Sequence, residues 1–184
     1  MPLSQKNKQE LLWYPMRVTY QRELFIRQKL IENDVECFLP MRYSTADDDG
    51  GRTLVPALHN LLFVHSSQAR ITELKMSRSV LEPLRYMTRV NTQDGTRTII
   101  TVPDKQMDDF IRVATAAEEN VMFLDQSEFL NRESVHVRII GGPFAGVEGV
   151  VKRIKKNKRV VVSITDIAAV AITYVPTRWL EIIS

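Results

Sequence analysis

The sequence predicts two folded pieces: an α/β or α+β domain followed by a small all-β barrel. Three observations predict this. Through about residue 105, short apolar strand-like runs alternate with amphipathic helix-like segments. From residue 134, five apolar runs rich in Val and Ile follow one another at 135–140, 147–154, 159–164, 168–175 and 179–183. They are broken by Gly-Gly-Pro, Lys-Asn, Asp and Pro-Thr, the pattern of a barrel of short strands. Between the two, residues 117–133 carry five acidic residues and one basic residue and fit neither pattern. The predicted organisation is therefore a domain at 1–116, an acidic linker at 117–133 and a barrel at 134–184. Within the linker, Val121–Leu124 is apolar enough to dock on either neighbour.

The elements follow in order. Leu11–Thr19 is apolar and aromatic and reads as a strand. Pro15 removes a backbone donor there, which predicts an edge position or a distortion. Tyr20–Asn33 reads as a helix, with Tyr20, Leu24 and Ile31 on one face and Ile26 and Leu30 on a neighbouring one. Val35–Tyr43 is extended, with Val35, Cys37 and Leu39 alternating against Glu36 and Phe38. Ser44–Thr53 is polar and contains glycine, hence a loop. Leu61–Val64 is a short continuous apolar run, the mark of a buried strand. Gln68–Ser77 is a short helix carrying Ile71, Leu74 and Met76. Leu84–Val90 and Arg97–Val102 are strands joined by a turn at Gln93-Asp94-Gly95. Pro103 or Asp104 then starts a helix striped by Met107, Phe110, Ile111 and Ala114.

Composition narrows the function classes. The 184 residues are 44% apolar and 26% charged, an ordinary globular balance. One cysteine excludes an internal disulfide framework and a cysteine-based zinc site. No apolar run approaches the ~18 residues of a membrane span, and the N-terminus reads as no secretory signal. A cytoplasmic protein without membrane association is expected. The net charge of +3 is unevenly spread. Residues 1–116 hold 16 basic and 14 acidic groups, the linker is −4, and residues 134–184 hold eight basic and three acidic groups. Six of those eight lie within Lys152–Arg159, a patch suited to a polyanion or an acidic protein face.

No catalytic constellation, metal site or cofactor motif is expected. His59 and His65 lie six apart on one strand face but lack further ligands. Asp47-Asp48-Asp49-Gly50-Gly51 has consecutive rather than alternating acids, unlike a calcium loop. Gly141–Gly146 is followed by neither Lys-Ser/Thr nor a helix, unlike a phosphate-binding loop. Cys37 reads as a buried, inert thiol. The chain is not expected to be an enzyme.

Val137–Ile164 resembles the KOW motif: an apolar strand, a Gly-Pro-aromatic turn, a glycine, then a second strand with basic residues. Gly146 is expected to adopt a conformation that residues with a Cβ avoid. Gly149 is expected to permit a close approach or a bulge. Ahead of it stand Trp13-Tyr14, Arg17, Arg22-Glu23, Glu36–Pro40, Leu61–Val64 and Val102-Pro103-Asp104. In this order the segments resemble the NusG family of transcription elongation factors over residues 11–184. Within it, the chain resembles the RfaH-like branch and most of all the UpxY group of antiterminators of capsular polysaccharide loci in Bacteroides-type bacteria. Pro40–Tyr43, Val55–Leu61, Tyr86-Met87-Thr88, Val102–Met107 and Ile139–Val150 carry that likeness. The family's usual Pro-Gly/Asn-Tyr is here His59-Asn60-Leu61, so an aromatic is replaced by Leu61.

The resemblance implies an α+β NusG-type domain, an antiparallel sheet with flanking helices, followed by a KOW (SH3-like) barrel. It implies a monomeric factor that binds the clamp helices of RNA polymerase and suppresses pausing and termination. Tyr14, Leu61 and Phe63 match the polymerase-facing patch, with Arg17 at its edge. Arg70, Lys75 and Arg78 match a region that reads non-template DNA or a leader RNA. Phe144, Lys152, Arg153, Lys155 and Lys156 match the contact surface of the KOW domain, whose partner is Rho, a small-subunit ribosomal protein or nucleic acid. The β-branched runs, Pro143, Gly146 and Gly149 argue for a standing barrel without a helical alternative form. The competing reading is a KOW-type RNA-binding or ribosome-associated module that never contacts polymerase.

Overall fold

The computed structural model describes residues 10–44, 50–124, 134–164 and 166–183. The N-terminal segment, Asp47–Asp49 and linker residues 125–133 lie outside the described residues. In chain order the elements are β1 (Leu12–Val18), α1 (Glu23–Ile31), β2 (Glu36–Phe38), β3 (Met41–Tyr43), β4 (Leu54–Pro56), β5 (Leu61–Ser66), α2 (Gln68–Ser77) and β6 (Leu84–Tyr86). There follow β7 (Thr88–Val90), β8 (Arg97–Ile99), α3 (Asp104–Ala114), β9 (Val121–Leu124), β10 (Val135–Ile139), β11 (Glu148–Ile154), β12 (Asn157–Ile164), β13 (Ala168–Ile172) and β14 (Leu180–Ile182). They form two compact units, Met1–Leu39 with Leu58–Asp104, and Pro40–Ala57 with Lys105–Ser184.

The first unit is built on an antiparallel sheet in the order β2-β5-β1-β6. β1 is an interior strand of the sheet, but at Pro15, where the sequence predicts an edge or a distortion, it has no β6 partner. The proline is tolerated because the β1–β6 ladder begins at Met16, so no neighbouring carbonyl waits for its missing N–H. Its carbonyl still accepts from Met87 N–H at 3.4 Å. α1 is shorter than the sequence predicts, because Tyr20 and Gln21 take left-handed φ of 65° and 52° and turn the chain before it. It buries Glu23, Ile26 and Leu30. The expected stripe of Tyr20, Leu24 and Ile31 is instead exposed, together with Phe25. α2 buries Ile71 and Leu74 as expected, while Met76 is exposed; the Ser67 side chain caps its N-terminus by accepting from Arg70 N–H. β7 and β8 form a separate two-stranded ribbon.

The second unit holds a six-stranded antiparallel sheet in the order β14-β10-β11-β12-β13-β9. Its five later strands occupy the five apolar runs. Val121–Leu124, read within the linker, is the sixth strand, paired to β13 with Leu124 opposite Ala169. Leu124 packs in a buried cluster with Ile154, Val161, Ala169 and Ala171. An apolar four-residue run beside an open strand edge gains both backbone hydrogen bonds and burial. Gly146 takes φ 89° in the tight turn into β11. A Cβ on Gly149 would meet the Val161 carbonyl oxygen at 2.6 Å, so β11 and β12 can approach only because this residue is glycine.

α3 is tied to this unit by polar contacts. Gln106 Nε2 donates to Ser163 O at 2.8 Å, and Lys105 Nζ to Gly146 O at 3.0 Å. The Arg112 guanidinium donates to Ala145 O and Pro143 O, each at 2.7 Å. Asp109, buried, accepts from Lys105 Nζ and from Glu148 N–H. Among the described residues, no helix is long and apolar enough to cross a membrane.

Candidate functional site

The first unit's sheet has two chemically distinct faces. Side chains alternate along a strand, and directly opposed residues of antiparallel neighbours share a face. Trp13, Pro15 and Arg17 therefore lie with His65, Phe63 and Leu61, and Phe38 joins them opposite Phe63. Tyr14 and Met16 lie with Val64 and Leu62 on the other face, along with Cys37 and Tyr86. The helices sit on this second face. Cys37 Sγ reaches Arg27 O of α1 at 3.9 Å, Tyr86 Oη reaches Gln68 O of α2 at 3.5 Å, and the Lys75 ammonium lies 5.8 Å from the Tyr86 ring centroid.

This geometry divides the four residues expected in one docking patch. Leu61, Phe63 and Arg17 share a face, but Tyr14 is on the helix-bearing side, edge-to-face with Tyr86 at 5.5 Å. The reason is register: Tyr14 opposes Val64, not Phe63. Tyr14, Leu61 and Phe63 are all buried and Arg17 is exposed. Sequence reasoning missed Trp13, Pro15 and Phe38 as neighbours of Phe63. The Phe38 and Phe63 rings are 6.5 Å apart, and Trp13 stacks on His65 at 4.8 Å. His65 Nδ1 is in turn 2.6 Å from Glu36 Oε2.

The basic residues of α2 do not converge. Arg70 is paired with Glu73 at 3.0 Å. Lys75, five residues on, points to another side and rests over Tyr86, and partial burial lowers its pKa. Arg78 is already extended and caps the helix through its backbone N–H to Leu74 O.

In the second unit, Phe144 is buried rather than presented at the tip of its turn, because Arg112 and Lys105 pull the surrounding carbonyls onto α3. The basic run forms the β11–β12 hairpin. Lys152 faces Arg159 and Arg153 faces Lys158, with Lys155 and Lys156 at the turn. Lys152 is half-buried, while Arg153, Lys155 and Lys156 are exposed. Lys158 and Arg159 belong to the same basic run, Lys152–Arg159, that the sequence marks as a patch.

Among the described residues, no catalytic arrangement stands out. Burial pushes the Cys37 thiol up to about 11, with Arg27 opposing the shift. His59 is in the turn before β5 and not on the strand with His65. Among the described residues, no group of three His, Cys, Asp or Glu could hold a metal ion.

Residues 11–111, from the start of β1 into α3, match the family described as transcription termination factor nusG. Residues 136–163, from β10 through most of β12, match the KOW motif. No curated protein sequence matches the chain. The first match spans more than half of the chain and covers the sheet and helices of the first unit together with β3, β4 and most of α3. The chain therefore belongs to the NusG family of transcription elongation and termination factors, with a KOW motif in its second unit.

Proposed function

We propose that this protein is a processive antitermination factor that binds RNA polymerase across the clamp and disfavours the paused state. The observation that carries the reading is the two-faced sheet of the first unit. Its helices occupy one face, and the other is a contiguous set of apolar side chains (Trp13, Pro15, Phe38, Leu61, Phe63) with Arg17 exposed at the margin. Trp13, Pro15, Leu61 and Phe63 are buried and Phe38 is half-buried, so docking requires this face to be uncovered, after which it suits an apolar coiled-coil partner with a cationic rim contact from the exposed Arg17. The mechanism needs no catalysis, and none is assigned. A factor that binds the closed clamp more tightly than the open one shifts the population toward the elongating state by that difference in affinity.

Restriction to polysaccharide biosynthesis operons is part of the proposal and rests on the sequence strings that resemble the UpxY group. So is action as a cytoplasmic monomer. Non-template DNA or leader RNA would be read near α2, where Arg78 and the Glu73-paired Arg70 are the exposed cations, with Lys75 partly withdrawn.

Binding of the purified full chain to RNA polymerase tests the reading. Arg17→Glu is the informative variant, because it is exposed and leaves the core intact. Phe63→Asp would bury a charge and unfold the domain regardless of any partner. Arg17→Glu is expected to weaken polymerase binding about tenfold or more.

A further inference from the structure

The sequence writes two apolar stripes on α1, and the core uses only one side of the helix, that of Glu23, Ile26 and Leu30. Leu24 and Ile31, seven residues apart and so on one face, are 50% and 49% exposed, and Phe25 is 46% exposed. Three half-exposed large apolar residues on one nine-residue helix exceed the scattered single ones that an ordinary surface carries. The turn leading into the helix adds a second anomaly. Tyr20 takes φ 65° and Gln21 φ 52°, a left-handed backbone that is an outlier for a bulky aromatic residue. Burial does not offset that strain, because Tyr20 is 80% exposed. Its ring lies 6.0 Å from the Arg22 guanidinium. Strain and exposed apolar surface that add nothing to the fold mark a place used for binding.

The charges around this face select its partner. Arg27 is exposed and sits between Leu24 and Ile31, three residues from one and four from the other. Among the described residues, no carboxylate forms an ion pair with Arg27 or Arg22. The carboxylates of the helix and its C-cap are already engaged: Glu23 is buried and accepts the Asn60 N–H, and Glu32 pairs with Lys29 at 2.7 Å. An apolar stripe interrupted by an unpaired cation fits a partner whose own apolar stripe carries a carboxylate. A second copy does not fit, because a two-fold contact through this stripe sets one Arg27 against the other. A lipid surface fits poorly, because Glu32 and Asp34 are exposed at the end of the helix and would meet anionic headgroups. We propose that this side of α1 docks an acidic amphipathic helix of another protein, with apolar side chains seated on Leu24 and Ile31 and a carboxylate on Arg27. The contact lies on the helix-bearing side of the sheet, opposite the face of the polymerase reading, and it is measured without polymerase, so the two can fail separately.

The test titrates the full chain into a fluorescently labelled helical peptide of about 18 residues, or five turns, with leucine along one face and glutamate and alanine elsewhere. Two further peptides carry lysine in place of glutamate, or the same residues in scrambled order. The acidic peptide is expected to bind at least about tenfold more tightly than either. Leu24→Ser with Ile31→Ser should weaken its binding at least about tenfold, with Tm within about 2 °C of wild type because both side chains are exposed. Arg27→Glu is the decisive variant. It should abolish or reverse the preference for the acidic peptide over the lysine one, again with Tm unmoved. A stripe with a merely structural role cannot give that change of preference. Equal binding of the acidic and lysine peptides by the wild-type chain, or peptide binding unchanged in both variants, overturns the proposal. So does self-association of the wild type, or its retention on anionic vesicles, that the double serine variant abolishes.

Discussion

Glu23 shows how one side chain can fix a turn in another part of the chain. It is buried in α1, and its Oε1 accepts the Asn60 N–H at 2.7 Å. Asn60 takes φ 59°, a left-handed conformation for which asparagine is among the few suited residues, and its carbonyl accepts from Val18 N–H at 3.1 Å. The His59-Asn60-Leu61 string is thus a conformational requirement at its centre. Glu23→Ala would leave the Asn60 N–H unpaired and is expected to cost about 1–3 kcal/mol in urea unfolding. Glu23→Gln keeps an acceptor and should recover most of that loss; equal loss in both variants would contradict the role. Cys37 gives a second prediction. A thiol pushed from 9.0 to about 11 holds roughly a hundredfold less thiolate at pH 8. Iodoacetamide alkylation of the folded chain at pH 8 should therefore be far slower than that of the urea-unfolded chain. Equal rates would show the thiol unshielded.

At the scale of elements, α3 and the turn at 143–148 act together. Asp109 joins them, accepting from Lys105 within its own helix and from Glu148 N–H beyond it. Asp109→Ala leaves the part-buried Glu148 N–H unpaired and is expected to destabilise by about 1–3 kcal/mol. Lys105→Ala removes only a partly exposed ion-pair partner and should cost less than about 1 kcal/mol, with both read from urea midpoints. The reverse order would place the weight on the ion pair. These links were not legible in the sequence, because the spacing that revealed α3 reports its apolar stripe and says nothing of which carbonyls Arg112 and Gln106 reach. Periodicity misled at α1 for a related reason: that helix is apolar on several sides, so the pattern cannot say which side the sheet selects. The turns were far more legible. Gly146 and Gly149 announced a positive φ and a close strand approach, since glycine, lacking a Cβ, meets both without steric cost.

At the scale of the molecule, the order of strands and helices was readable because each apolar run is bounded by a turn signal. The candidate docking patch was readable only in part. Phe63 and Leu61 were found by their place in an apolar run, but assigning Tyr14 to them needed the register of β1 on β5, which no single strand encodes. The same limit applied to the basic hairpin, whose charge was plain but whose opposed like-charge pairs appear only once the strands are aligned. The account places polymerase docking on the first unit's apolar sheet face, whose side chains are buried and whose margin is the exposed Arg17. Its central claim is polymerase binding, tested most directly by equilibrium binding of the purified full chain to purified RNA polymerase at low salt. The account predicts that the wild-type chain binds and that Arg17→Glu, with an unchanged Tm, binds about tenfold more weakly or worse. A wild-type chain that fails to bind polymerase at low salt would contradict it.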